Sequence, residues 1–218
     1  LMLSSTSRVG DAHAPKAMRS DPENRLHWRQ EPRRLEAEEV RDAILAVSGR
    51  LESAMGGPVL HVGNREYLFD HTSIDKTRYD SPRRSVYLPV IRNHVYDVFQ
   101  LFDFSDPTVM SGNRATTTIP SQALFMMNSE LVYDATEALA GRLLGLTGLD
   151  DAGRVRHLFG VAFGRPPTGE EVTRALGFLE TYAGTAGGAD GPTSGSRLAA
   201  WQAYCQVIVA SNEFIFVR

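Results

Sequence analysis

The residues best suited to chemistry lie between Arg83 and Asn128, where arginines, carboxylates and hydroxyls interrupt an otherwise apolar stretch. The arginines are Arg83, Arg84, Arg92 and Arg114. Guanidinium groups bind carboxylate, sulfate or phosphate through paired donors, so these side chains would form an anion site if they converge. They could instead pair with nearby carboxylates and brace an irregular region, because structural ion-pair networks imitate sites in this way. The bracing role is the favoured interpretation.

Three threonines, Thr116 to Thr118, precede Pro120, a residue well suited to the first position of a helix. Hydroxyl groups at such a point accept hydrogen bonds from the free amides of the first turn. The same helix start also attracts anions, and Arg114 is close by in sequence. The candidate ligand-binding hydroxyls are therefore Thr117 and Thr118, and capping and anion binding are compatible roles for them.

Two aspartates, Asp103 and Asp106, are the candidates for catalytic carboxylates in this stretch. Such a pair could act as acid and base in cleaving a glycoside, but this chemistry depends on a separation in space that the sequence does not give. With Asp97 they could also bind calcium through oxygen ligands, although the spacing differs from an EF-hand loop. A turn at Asp106-Pro107 is the simpler interpretation, and no metal site is expected.

Histidine and cysteine patterns typical of metal or nucleophile sites do not occur in this chain. The six histidines form no HExxH motif; His61, His71 and His94 could meet in the fold, but surface positions are the simpler expectation. The single cysteine, Cys205, falls on an apolar helix face and is predicted to be buried and unreactive. No CxxCH, GxSxG or GxGxxG motif is present, so no haem or other cofactor is expected on this chain.

Hydrophobic periodicity predicts that helices position these residues. The apolar face of the first long helix consists of Val40, Ile44, Val47, Leu51 and Met55, with Gly56-Gly57 as its end. Pro120 begins a second helical stretch that Asn128-Ser129 could break into two. Three further helices between about 149 and 218 predict a small packed bundle.

The middle of the chain lacks clear periodicity and could hold a short β-hairpin, with candidate strands at 59–62 and 67–69. The expected fold class is therefore mainly α, a helical bundle with an irregular middle region. Residues 1–33 are interpreted as a linker or the tail of a preceding domain, and residues 34–218 as a single domain. The chain is accordingly interpreted as part of a longer protein.

The composition is that of an ordinary globular chain. Hydrophobic residues make up 42% of the 218 residues and charged residues 22%. With a net charge of −3, the chain has no global field that would attract nucleic acid. No apolar run approaches the roughly 20 residues that span a bilayer, and the first residues do not form a signal-peptide pattern.

Six sequence motifs resemble one family. They are RRLEAEEVRDAILAVSG, RRSVYLPVIRN, FDFSDP, RATTTIPSQALFMMNSELV, FGRPPTGEE and WQAYCQVIVASNEFIFV. Occurring in this order over residues 34–218, they are similar to the C-terminal PSD domain of unknown function found in large planctomycete proteins with cytochrome c domains. The resemblance assigns no role to the matching residues, which are Arg83, Arg84, Arg92, Asp103, Asp106, Arg114, Asn128 and 212–214.

The resemblance implies an exported protein in the periplasm or at the cell surface. It implies that c-type haem, if bound, belongs to another domain of the full-length protein. The implied partners are those other domains or a sulfatase-like protein, and an acidic glycan is a further candidate. None of these partners follows from the composition or spacing of the present chain.

Two hypotheses about function remain. In the first, the chain is a non-catalytic scaffold or interaction domain of an exported, cytochrome-associated or glycan-handling protein. In the second, it is part of an extracytoplasmic enzyme or binding module for acidic or sulfated polysaccharide. Arg92 and Arg114 would then grip the anion, with Asp103 or Asp106 as acid and base. Under the first hypothesis, replacing Arg114 with alanine should lower stability by ~1–3 kcal/mol. Under the second, it should abolish ligand binding.

Overall fold

The fold is mainly α-helical, as the periodicity predicted. The computed structural model describes residues 14–57, 59, 81–90, 95–110, 112–187 and 193–217. The helices in these ranges are α1 (Pro15–Ser20), α2 (Ala37–Ser48), α3 (Asp97–Leu101), α4 (Pro120–Asn128), α5 (Glu130–Leu144), α6 (Asp151–Phe163), α7 (Gly169–Gly187), α8 (Ser194–Val209) and α9 (Asn212–Ile215). Among the described residues, no helix combines the length and apolar character that a bilayer crossing requires.

Helix α2 begins with a capping box and ends earlier than predicted. Glu39 reaches back to the amide of Glu36, which satisfies backbone donors at the helix start. The helix ends at Ser48 because Gly49 adopts a left-handed φ of 76°. The predicted continuation to Met55 is therefore wrong, and that side chain is 81% exposed.

The predicted break between α4 and α5 is confirmed. Ser129 adopts an extended conformation and its hydroxyl accepts a hydrogen bond of 3.3 Å from the amide of Val132. Asn128 donates its side-chain amide to the carbonyl of Leu124 at the end of α4. The chain thus turns between two helices instead of continuing one.

Helix α8 forms the centre of the C-terminal bundle and packs against both α5 and α7. Its buried face carries Trp201, Cys205 and Val209, all at most 1% exposed. Burial raises the pKa of the Cys205 thiol, which keeps it protonated and unreactive at neutral pH. The predicted burial of this cysteine is confirmed.

Two short strands pair residues from near opposite ends of the chain. β1 (Arg33–Arg34) and β2 (Phe216–Val217) are antiparallel, with Arg34 opposite Phe216. The amide of Leu35 extends the contact by donating to the carbonyl of Ile215 at 2.8 Å. These paired strands thus lie outside the middle region, where the described β structure is an isolated bridge between Glu52 and Arg83. The strands predicted at 59–62 and 67–69 lie, except for Val59, outside the described residues.

A clamp around Arg165 fixes α9 to the turn before α7. Its guanidinium donates to both carboxylate oxygens of Glu171 and of Glu213, at 2.5–3.0 Å. The same group lies over the rings of Phe159 and Phe163, at 5.3 and 5.6 Å from their centroids. Hydrogen bonds from Arg165 and from the amide of Thr168 lower the pKa of Glu171 to about 2.

Candidate functional site

Asp103 is the centre of a buried brace that joins β1 to the segment before α4. Its carboxylate accepts a 2.7 Å hydrogen bond from Arg34 and bonds of 2.7 and 2.9 Å from the amide and hydroxyl of Thr117. Gln122 in turn donates to the carbonyl of Thr117 at 3.2 Å. The residue itself has a left-handed φ of 60°, so the surrounding bonds hold it in an uncommon conformation.

The charge of this brace is balanced internally. Burial by itself would raise the pKa of the Asp103 carboxyl, but the hydrogen bonds from Thr117 and the charge of Arg34 outweigh it and lower the pKa. The Arg34 side chain is only 4% exposed. Its Nε and Nη1 atoms find no hydrogen-bond partner among the described residues, so Asp103 is the main counterpart of this guanidinium.

Arg114 is engaged by carboxylates at the start of α2. Its guanidinium donates to Glu36 at 2.8 Å and to both oxygens of Glu38 at 2.7 and 2.8 Å. The group also lies 5.2 Å from the ring centroid of Phe104. The hydrogen bonds from Arg114 to Glu38 raise the pKa of the guanidinium. An anionic ligand would have to displace two carboxylates from this residue.

Arg83 is engaged by backbone carbonyls after α2. It donates to the carbonyls of Ala54, Gly56 and Gly57, at 2.9, 2.5 and 3.2 Å, and lies over the ring of Tyr87 at 4.7 Å. These bonds close the irregular turn that follows the helix. Arg83 therefore stabilises a loop in the described structure.

Arg41, which the sequence patterns did not single out, braces the same region from α2. It donates to the carbonyls of Arg83 and Ser81 and to the hydroxyl of Ser85. Asp42 complements it by accepting from the amide and hydroxyl of Ser85 at 2.8 and 2.6 Å. The 3₁₀ turn Ser85–Tyr87 is thereby tied to α2.

The remaining predicted residues lie apart from these braces or outside the described residues. Arg84 and Thr118 are exposed. Asp106 accepts bonds of 2.8 and 2.6 Å from the amide and hydroxyl of Thr108, which form a local turn. Lying outside the described residues are Arg92, His61, His71 and His94.

The predicted arginines do not form one anion site within the part of the chain that the structure describes. Arg83 contacts the turn after α2, whereas Arg114 contacts the start of that helix, and no described contact joins the two. The same described residues contain no group of three or more histidine, cysteine, aspartate or glutamate side chains that could hold a metal ion.

A cleft of about 710 Å³ lies between α2, α3 and the junction of α4 with α5. Its lining residues are Arg41, Leu45, Arg50, Ser81, Pro82, Val95, Tyr96, Asp97, Val98, Phe125, Ser129, Glu130, Leu131 and Asp134. Arg50 and Asp134 form an ion pair of 3.4 Å at its edge. Of the lining residues, the sequence patterns had marked Asp97 as a carboxylate and Ser129 as a helix break, but nothing in the sequence indicated that they meet.

Residues 1–179 match the model of the family PSD1, described as protein of unknown function (DUF1553). The chain belongs to this family. No curated protein and no solved structure matches the chain.

The structural unit of this PSD1 chain extends beyond the matched residues. Helix α8 lies after the end of the match, yet it packs against α5, which lies within the match, and against α7, of which residues 169–179 lie within it. All of the described cleft residues lie within the match. The cleft is therefore formed by the part of the chain that resembles the family, and the core beneath it includes later residues.

Proposed function

We propose that this PSD1 chain is a non-catalytic interaction domain of an exported multidomain protein, and that the cleft between α2 and α5 is its binding surface. The exported and cytochrome-associated or glycan-handling context rests on the resemblance of the six sequence motifs to planctomycete proteins. The proposed partner is another domain of the full-length protein or a sulfatase-like protein.

The observation that carries the proposal is the use of the motif residues as internal braces. A catalytic carboxylate needs access to substrate, but Asp103 accepts three hydrogen bonds from Arg34 and Thr117. Arg83 and Arg114 are similarly engaged by carbonyls and carboxylates. The residue types that suggest chemistry in the sequence are thus used to hold an irregular segment in place.

The polysaccharide hypothesis requires guanidinium groups that can reach an anion. Among the described arginines of the motif, Arg84 and Arg114 are exposed, but Arg114 is paired with carboxylates at the start of α2. Arg84 alone is an ordinary surface feature. No convergent set of donors accompanies it in the described residues. The geometry therefore supports the interaction domain over the polysaccharide site.

The test is site-specific photo-cross-linking in the full-length protein. A photoreactive amino acid replaces Asp97, an exposed residue that lines the cleft, and a control replaces Glu180, an exposed residue of α7 outside it. The proposal predicts cross-links from position 97 to another domain or protein, and few from position 180. Equal cross-linking from both positions, or none from position 97, would refute it.

A further inference from the structure

We propose that the α4–α8 face, the exposed surface around Leu124, Met127, Tyr133 and Val207, binds a second copy of this chain in a two-fold dimer. None of these four residues lines the cleft, so the dimer is independent of the partner proposed for the cleft. The inference is carried by the exposure of these apolar side chains, by two stretches of sequence without charge, and by a shape that can complement itself.

Four large apolar side chains are exposed where α4 and the start of α5 meet α8. Leu124 and Met127 of α4 are each 58% exposed. Tyr133 of α5 and Val207 of α8 are each 55% exposed. Two glutamine side chains of α8 join these elements, because they donate to the carbonyls of Met127 and Tyr133 at 2.6 and 3.3 Å. The four side chains therefore lie on adjoining elements, and exposed apolar patches of this kind mark interaction sites.

The sequence carries no charge along the two helices of this face. It has no charged residue from 115 to 129, a range that contains α4. It has none from 198 to 212, a range that contains all but the first turn of α8. Charged residues make up 22% of the whole chain, so both stretches depart from its composition. The cores of protein interfaces are likewise depleted of charge and enriched in methionine and tyrosine.

The lack of charge also favours a second copy as the partner. In a two-fold dimer the same surface of both copies is in contact, so a face with charge of one sign would oppose like charges. Such contacts between like charges weaken association, and an uncharged face avoids them. The α4–α8 face therefore meets the electrostatic condition for pairing with itself.

The shape of the face allows the same pairing. The residues on the outward side of α8 are mostly small or flexible: Ala199, Gln202, Ala203, Gln206, Val207 and Ala210. The large exposed side chains of α4 are Leu124 and Met127. A two-fold axis can place α4 of one copy over α8 of the other, so that large side chains lie against small ones. Each copy then supplies both halves of the contact.

The size of the face indicates a reversible dimer. Helix α8 has 16 residues and is about 24 Å long, and packed helices lie about 8–10 Å apart. A face of this length and two helices wide is small beside interfaces that bury about 800 Å² on each partner. We therefore expect a dissociation constant of about 1–100 μM.

Sedimentation equilibrium of the 218-residue chain tests the dimer. The average mass should rise from 24.0 kDa towards twice that value as the protein concentration increases from about 1 to about 300 μM. Because the face is uncharged, association should be at least as strong at about 1 M salt as at about 0.1 M. A mass that stays at 24.0 kDa throughout, or an association that high salt abolishes, would overturn the inference.

Charged variants then locate the contact. Val207→Lys and Met127→Glu should each weaken association by at least about tenfold, because each places an unpaired charge in an apolar contact. Val86→Lys is the matched control, since Val86 is 73% exposed in the 3₁₀ turn that is tied to α2, and its association should be unchanged. Thermal melts show whether each variant remains folded. Full association of a folded Val207→Lys, or equal weakening by all three variants, would contradict the α4–α8 face.

A mixture of variants tests the two-fold pairing itself. Equimolar Met127→Glu and Val207→Lys should recover association, because the two introduced charges are opposite in sign and lie on facing helices of different copies. Each variant alone should remain monomeric at the same total concentration. A mixture that also stays monomeric, where the unchanged protein dimerises, would overturn the pairing of α4 with α8.

Discussion

Replacing Asp103 with asparagine should strongly destabilise the fold, although the two side chains have nearly the same shape. Asparagine is among the residues that tolerate a left-handed backbone, so the φ of 60° at this position adds little strain to the variant. The substitution removes the negative charge that faces Arg34 at 2.7 Å. The change in stability therefore reports the loss of the charged contact with Arg34 and not a strain in the backbone.

The expected loss follows from the burial of the two partners. The side chains of Arg34 and Asp103 are 4% and 15% exposed. Removing one member of a buried ion pair costs about 3–5 kcal/mol, and a hydrogen bond to a charged group contributes about 1.5–3 kcal/mol. Because the asparagine oxygen can still accept one bond, we expect a loss of about 3 kcal/mol in the free energy of unfolding. At about 2–4 °C per kcal/mol, the melting temperature falls by about 6–12 °C.

Urea unfolding measures this change, with Asp106→Asn as the matched control. Asp106 is exposed and its carboxylate accepts bonds only from Thr108 among the described contacts, so its variant should unfold at nearly the same urea concentration as the unchanged protein. The pKa of the Asp103 carboxyl is lower in the folded protein than in the unfolded chain, where it is about 3.9. The contribution of its charge to the free energy of unfolding is therefore fully present above about pH 3.9 and is lost as the pH falls through the pKa of the folded protein. A loss below about 1 kcal/mol for Asp103→Asn at neutral pH would refute the brace.

Three further predictions follow from other contacts. Arg114→Ala should cost about 0.5–1 kcal/mol in urea unfolding, below the ~1–3 kcal/mol expected from sequence, because this guanidinium is 31% exposed; high salt should reduce the effect. In thermal melts over a pH series, the unchanged protein should exceed Glu171→Gln in stability by its full margin above about pH 4.5, and this margin should shrink as the pH falls towards 2. A margin that stays constant with pH would contradict the lowered pKa of about 2. Gly177→Ala should stabilise the protein by about 0.5–1 kcal/mol, because a Cβ there meets nothing within 4 Å, whereas Gly49→Ala should destabilise it at a φ of 76°; the reverse order of midpoints would be inconsistent with the structure.

The sequence pattern predicted the helices well because their apolar periods are local. The break at Ser129 and the C-terminal helices are readable from residues a few positions apart. The end of α2 was missed because Leu51 and Met55 continue the apolar period after Gly49 has already turned the backbone. The β1–β2 pair was missed because its strands have two residues each and lie near opposite ends of the chain.

In the candidate site, the type of a residue did not reveal its role. Asp103 and Arg114 were marked as chemically suggestive, but the partners that define their roles are distant in sequence. Arg34 is 69 residues from Asp103, and Glu38 is 76 residues from Arg114. Only the fold brings these groups together, and in it each arginine forms a hydrogen-bonded ion pair with a carboxylate. The cleft was missed for the same reason, because its lining comes from several separate segments.

The most direct test of the account compares stability and polysaccharide binding in one variant, Arg83→Ala. Its guanidinium is bound to the carbonyls of 54, 56 and 57 and is largely buried. We predict a loss of about 2–3 kcal/mol in urea unfolding, because the carbonyls lose charged donors, and no calorimetric heat with a sulfated or uronic polysaccharide for either protein. Polysaccharide binding by the unmodified protein that Arg83→Ala abolishes at unchanged stability would contradict the account.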